Sequence, residues 1–200
     1  MQLTDGASLV SLARGAIAEY LQSGKKPAAI NHRGALGEKH GVFVTIESYP
    51  SHDLRGCIGY PLGVKALGES VVDCALSAAF EDSRFSPLGA DELSRCVLEV
   101  SVLGAPEKIK VGSPLQYPEM IKIGKDGLII EYGYRSGLLL PQVPLEWNWD
   151  EVEFLEHLCE KAGLPKNMWR SPSVSINRFG AQVFCESKPG GKVSIKKMIR

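Results

Sequence analysis

The residues best able to do chemistry are concentrated in LRGCIGY, Leu54 to Tyr60, where an arginine, a cysteine and two glycines interrupt an apolar run. In an extended strand alternate side chains share a face, so Arg55, Cys57 and Gly59 point one way and Leu54, Gly56, Ile58 and Tyr60 the other. Leu54, Ile58 and Tyr60 form the core-like set. That leaves Cys57 on the opposite face, with Arg55 about 7 Å away between Cα atoms. A nearby guanidinium favours the thiolate, which is the nucleophilic form. Gly56 and Gly59 remove side chains and let a ligand or another backbone come close. The same spacing also suits tight packing of a helix across a sheet, with Arg55 paired to an acid, because a free cysteine usually behaves as a small hydrophobe. Both readings stand on the spacing alone.

A cysteine nucleophile needs a base, and His52 is five residues away, but it lies on the turn and the strand carries Cys57 away from it. Three further polar residues stand out by context. Arg84 follows an acidic pair and has Glu81 or Asp82 as its ordinary partner, while Gln142 and Glu146 flank Pro144 beside Trp147 and Trp149. An acid next to aromatics is either a surface residue or a carboxylate in a partly apolar pocket with a raised pKa. The four histidines, His32, His40, His52 and His157, show no metal-ligand spacing, and no cofactor fingerprint is present. KPGGKVS mimics a phosphate loop but has Glu186 in place of the first glycine and Val193 in place of the hydroxyl residue. No metal and no cofactor are expected.

The elements that must position these residues follow from periodicity. Thr4 to Ser23 carries Leu9, Leu12, Ala13, Ala16 and Ile17 on one helical face. GVFVTIES alternates as a strand, and the turn residues YPSHD join it to LRGCIGY as a hairpin. Pro61 and Gly63 open a helix with Val64, Leu67, Val71, Ala75 and Ala78 as its buried stripe. Cys96 to Leu103 is a strand, and a proline-rich connection with a short helix near Tyr117 comes next. Asp126-Gly127 and the Gly133 to Gly137 turn then predict a meander of three short strands. A capped helix spans Asp150 to Ala162, and a last strand spans Val174 to Glu186. Hairpins interrupted by helices, without regular alternation, indicate α+β with largely antiparallel sheet. One domain over 1–186 is expected, with a possible subdomain seam at 105–118, followed by a basic tail over 187–200.

With 23 basic and 23 acidic residues, no global field attracts nucleic acid. Only the tail, with five basic residues from Lys188 to Arg200 and no acid, leans that way. The N-terminus lacks the basic start and apolar core of a signal peptide, and no window reaches a membrane span. Five cysteines, odd in number and without a CxxC pair, argue against a disulfide framework or a cysteine zinc site and fit a reducing cytoplasm.

LRGCIGY, preceded by GVFVTI and followed in order by SRFSPL, LEVSVLGAPEKI, IGKDGLII, GLLLPQVPLEW and FLEHLCEKAGLP, resembles the signature of the AMMECR-one domain family over nearly the whole chain. Ser83 stands where many relatives carry proline. The resemblance implies an α+β unit of two related subdomains around a mostly antiparallel, barrel-like sheet flanked by helices. It implies an activity not yet established, and Memo-type and radical-SAM proteins as partners in the AmmeMemoRadiSam set. Two functions therefore compete. One is an enzyme or enzyme component using Cys57, with Arg55 tuning it and Gly56, Gly59, Arg84, Gln142 and Glu146 shaping a binding pocket. The other is a non-catalytic protein-binding module, with nucleic-acid binding a distant third. The oligomeric state is not readable.

Overall fold

A computed structural model describes residues 1–28 and 33–197. His32 and Arg200 lie outside the described residues. The chain divides into two compact units, Met1–Leu103 with Gln182–Lys196, and Gly104–Ala181 with the chain's end.

In the first unit, helix α1 (Leu3–Ser23) and helix α2 (Leu67–Phe80) lie on one face of a sheet. The sheet order is β2-β1-β3-β8-β9. Its strands are β1 (Val42–Ser48), β2 (Leu54–Tyr60), β3 (Cys96–Leu103), β8 (Ala181–Glu186) and β9 (Val193–Ile195). The four-residue helix α3 (Ala90–Leu93) leads into β3. The core takes Val42, Val44 and Ile46 from β1 and Leu98, Val100 and Val102 from β3, against Leu9, Val10, Ala13 and Ile17 of α1. That is the alternation read from the sequence, and burial of about a dozen such side chains, each worth roughly 1.5–3 kcal/mol, drives the unit's assembly. Arg14 of α1 ties the helix to the sheet: its Nε lies 2.7 Å from Glu186 Oε1, and Nη1 donates to the carbonyl of Leu93 at 3.0 Å.

The second unit has a four-stranded sheet, β4-β7-β5-β6, made of β4 (Glu107–Lys108), β5 (Gly127–Tyr132), β6 (Arg135–Leu139) and β7 (Ser175–Phe179). Helix α4 (Tyr117–Met120), helix α5 (Val143–Glu146) and helix α6 (Glu151–Lys161) accompany it. Phe154, Leu155, Leu158 and Cys159 of α6 pack on Leu128, Ile130 and Ile176. Asp150 caps α6 by accepting from Val152 and Glu153, as the sequence pattern predicts.

Several expectations are corrected. The α+β class and antiparallel pairing hold, but neither sheet closes into a barrel. β2 and β9 are edges of the first sheet, β4 and β6 of the second. Helix α2 begins at Leu67, so Val64, placed in its stripe, is 60% exposed in the preceding loop. The meander has two strands, because Lys122–Asp126 is held as a turn by Asp126 and Lys125 amides donating to Lys122 O. The last strand is two, β7 and β8, broken at Gly180 and joined to different sheets. Val193–Ile195, within the segment read as a basic tail, pairs with β8 as an edge strand.

Candidate functional site

The face question raised by LRGCIGY has a geometric answer. Cys57 pairs with Thr45, which pairs in turn with Glu99, so the three form one row across β2, β1 and β3. That row lies on the face away from α1 and α2, since Val44, Ile46, Leu98 and Val100 occupy the helix side. The Thr45 hydroxyl donates to Cys57 Sγ at 3.3 Å, and Lys196 Nζ reaches Glu99 at 2.9 Å.

Cys57 is on an edge strand, where backbone groups pointing away from the sheet have no neighbouring strand. The loop after α2 supplies substitutes. Asp82 Oδ2 accepts from the Cys57 amide at 2.9 Å, and Arg84 Nη2 donates to the Cys57 carbonyl at 3.2 Å. The same two side chains are locked together, with Arg84 Nε to Asp82 Oδ1 at 2.9 Å and Nη2 to Oδ2 at 2.7 Å. Two side chains thus do for Cys57 what one residue of a paired strand would do. Asp82 is buried, while the Arg84 side chain is 51% exposed with its direction fixed. The Arg84 guanidinium and the Cys57 amide together hold the Asp82 carboxyl well below the usual carboxylate range.

Burial pushes the Cys57 thiol up; the Thr45 hydroxyl and the Arg84 charge pull it down without reversing the shift, and Glu99 and Asp82 add to the rise. The folded geometry therefore favours a neutral thiol. Cys74, on α2 inside the core, is pushed up to about 12 by burial.

Arg55 is engaged elsewhere. A bulge between Ile46 and Glu47 leaves it opposite no residue of β1, and its guanidinium meets Glu92 of α3 with Nε and Nη2 at 3.0 and 3.1 Å. Its Nη1 is buried without a hydrogen-bond partner among the described residues. Glu92 in turn accepts from the Gly89 amide at 2.8 Å, so Arg55 braces the start of α3. The cation that acts on Cys57 is Arg84. Leu54, read as a core residue, is 42% exposed at the start of the strand.

The two glycines also have structural partners. A Cβ on Gly56 would run into the backbone carbonyl of Ala78 in α2, and one on Gly59 into the ring of Phe43, its cross-strand partner. A helix and an aromatic ring fill the room they leave, so neither glycine clears space for a ligand. His52 sits with its Nδ1 2.8 Å from Glu47, at a left-handed φ of 60°. Among the described residues no group of three His, Cys, Asp or Glu side chains could hold a metal ion, and no helix is long and apolar enough to cross a membrane.

Gln142 and Glu146 belong to the second unit. Gln142 is buried just before α5, and its carbonyl accepts from the amides of Leu145 and Glu146 at 3.0 and 3.1 Å. Glu146 is the last residue of α5. The sequence offers Asp82 as one of two partners for Arg84, and the structure selects it over Glu81, whereas Thr45 and Glu92 are not singled out by the sequence. The hairpin register contained the signal for Thr45, while Glu92 becomes a partner only in three dimensions.

A model of the AMMECR1 family matches residues 10–184. The chain is 49% identical to protein MJ0810 of Methanocaldococcus jannaschii, covering 100% of this chain and 98% of that protein. It is 51% identical to protein MK0488 of Methanopyrus kandleri, covering 96% and 94%. The crystal structure of the uncharacterized protein PH0010 from Pyrococcus horikoshii matches with a TM-score of 0.91 at 46% identity, over 96% of each chain.

Proposed function

This chain belongs to the AMMECR1 family, and from that premise we propose that it is a binding module of the cytoplasm rather than a thiol enzyme, recognising an anionic group through Arg84 beside Cys57. The observation that carries this reading is the pair of roles held by Arg84. Its guanidinium is fixed by the buried Asp82 and the Cys57 carbonyl, yet half of the side chain faces solvent. A guanidinium held in one orientation loses little freedom on meeting a carboxylate or phosphate. The thiol beside it, raised by burial, is a poor nucleophile at neutral pH. Memo-type and radical-SAM proteins are the partners the family resemblance implies.

The test is capture of purified Memo-type and radical-SAM proteins by the wild type, Cys57→Ser and Arg84→Glu. Capture kept by Cys57→Ser and lost by Arg84→Glu is expected. The reverse pattern overturns the proposal.

A second reading, thiol chemistry at Cys57, is favoured by the Thr45 hydroxyl, whose hydrogen bond to Sγ at 3.3 Å stabilises a thiolate once formed. It predicts rapid alkylation of Cys57 in the native protein near neutral pH.

A further inference from the structure

Of the five N–H bonds of the Arg84 guanidinium, three are spent inside the protein. Nε donates to Asp82 Oδ1 at 2.9 Å and Nη2 to Oδ2 at 2.7 Å, so the side fork is closed on one carboxylate. The second hydrogen of Nη2 goes to the Cys57 carbonyl at 3.2 Å, which takes half of the end fork. Arginine grips an oxyanion in two parallel bonds through one of these forks. Here neither is whole. What remains is Nη1, which has no hydrogen-bond partner among the described residues, on a side chain that is half exposed.

The neighbouring donors are taken as well. Asp82 is saturated: Oδ1 accepts from the Arg84 amide at 3.2 Å and from Nε, and Oδ2 from the Cys57 amide at 2.9 Å and from Nη2. The Phe85 amide donates to the Asp82 carbonyl at 3.0 Å. Arg55 and Arg84 both lie over the Phe85 ring, at 5.8 and 5.5 Å from its centroid, but Arg55 is spent on Glu92. Ser83 and Ser86, the hydroxyl residues of the same loop, are exposed.

These bonds select the chemistry of a ligand. A phosphate group carries a charge of about −2 on three oxygens and is held where several donors converge. Stripping its water costs more than stripping a carboxylate, and a single nitrogen returns little of that cost. A carboxylate can place one oxygen on Nη1 and leave the other in water. Asp82 also offsets most of the Arg84 charge at a distance, which removes the long-range pull that would favour a dianion.

Resting on the reading of Arg84 as the recognition group, we propose that the site takes a carboxylate of an acidic partner segment end-on, one oxygen on Nη1, and does not select phosphate.

The test uses the full chain at neutral pH and constant ionic strength, with the Nε and Nη resonances of Arg84 followed by NMR. The probes are single capped residues: glutamate, phosphoserine and glutamine. Glutamate should move Nη1 while Nε and Nη2 stay in place, and should bind at least as tightly as phosphoserine despite its lower charge. In Asp82→Asn an amide oxygen holds only part of the side fork and Arg84 regains its charge, so phosphoserine affinity should rise at least about threefold. The double variant Ser83→Ala, Ser86→Ala should bind both probes as the wild type does. Three results overturn the end-on carboxylate while leaving Arg84 an anion site. They are tighter binding of phosphoserine than of glutamate in the wild type, unchanged phosphoserine affinity in Asp82→Asn, and weaker glutamate binding in the serine variant. No movement of any Arg84 resonance at high millimolar probe, or an equal response to glutamine, overturns both this proposal and the recognition on which it rests.

Discussion

Replacing glycine by alanine should act with opposite sign at two positions of the first unit. At Gly56 an added Cβ would stand 3.0 Å from the Ala78 carbonyl carbon and nearer still to its oxygen. Carbon–carbon contacts settle at about 3.5–4.0 Å, so α2 or β2 must retreat by a distance on the order of 1 Å. The obstacle is helix backbone, and Ala75, Ala78 and Ala79 around it are buried, so no flexible side chain can swing aside. Overpacking of this kind costs about 1–3 kcal/mol, and the upper half of that range applies here. Reduced freedom of the unfolded chain returns about 0.4–1 kcal/mol, leaving a net loss of about 2 kcal/mol. At Gly15, inside α1, nothing lies within 4 Å of an added Cβ. Alanine there should stabilise by about 0.5–1 kcal/mol, the helix-interior difference between the two residues. For a chain of this length the melting temperature should fall by about 4–8 °C in the first variant and rise by about 1–4 °C in the second. All three tryptophans are in the second unit, so their fluorescence does not report on the first. The assay is therefore hydrogen exchange of the Val44 and Ile46 amides in β1, with urea titration followed by far-UV circular dichroism. A Gly56→Ala protein as stable as wild type would refute the close-approach account of the motif.

Three other outcomes are expected. Alkylation of native Cys57 should be slow at pH 7 and accelerate only above the ordinary thiol range of about 8.5, with Cys74 unlabelled until the protein unfolds; a rate plateau below pH 7, measured by mass spectrometry, would instead support thiol chemistry. Asp82→Asn should cost about 1–3 kcal/mol at pH 7, because the Cys57 amide and Arg84 lose a charged acceptor. The folded Asp82 pKa is depressed, so its contribution is present above the unfolded value of about 3.9 and fades as pH falls through that value toward the folded one. The gap between wild type and variant in urea titrations should accordingly shrink between pH 5 and pH 2, and a gap that stays constant contradicts the assignment. Arg14→Met, which leaves the buried Glu186 carboxylate without its cation, should destabilise by about 3–5 kcal/mol, and adding Glu186→Leu should recover only part of that loss in the same titration, because the buried Leu98 amide then lacks its acceptor.

Local pattern made much of the fold legible. Alternation in GVFVTIES and in Cys96 to Leu103 placed Val44, Ile46, Leu98 and Val100 on one face because that face meets helices, and the Asp150 cap was readable because its bonds span three residues. What stayed hidden depends on residues far apart in sequence. Gly180 sits in a run of strand formers and looks like a weak point, but only the sheet partners of Phe179 and Val183 show that the chain changes sheets there. The start of α2 was misplaced because Val64 continues the helical period, although the chain is not yet helical.

The site shows the same limit at higher resolution. Period-two reasoning assigned Cys57 to the face away from the helices, and the Cys57–Thr45–Glu99 row confirms the face. It also put Arg55 beside Cys57, and here a single bulged position undoes the inference. One extra residue opposite β1 releases Arg55 to Glu92, while Arg84, 27 positions beyond Cys57, takes its place. The arginine, cysteine and glycines of LRGCIGY therefore answer separate demands. Gly56 admits α2, Gly59 admits Phe43, Arg55 braces α3, and Cys57 offers an edge whose amide and carbonyl are bound by Asp82 and Arg84. Because those two bonds occupy the edge at Cys57, a partner strand cannot pair there without displacing a buried carboxylate, which is expensive. What the edge leaves in solvent at Cys57 is the outer side of the Arg84 guanidinium, the group on which the proposed recognition rests.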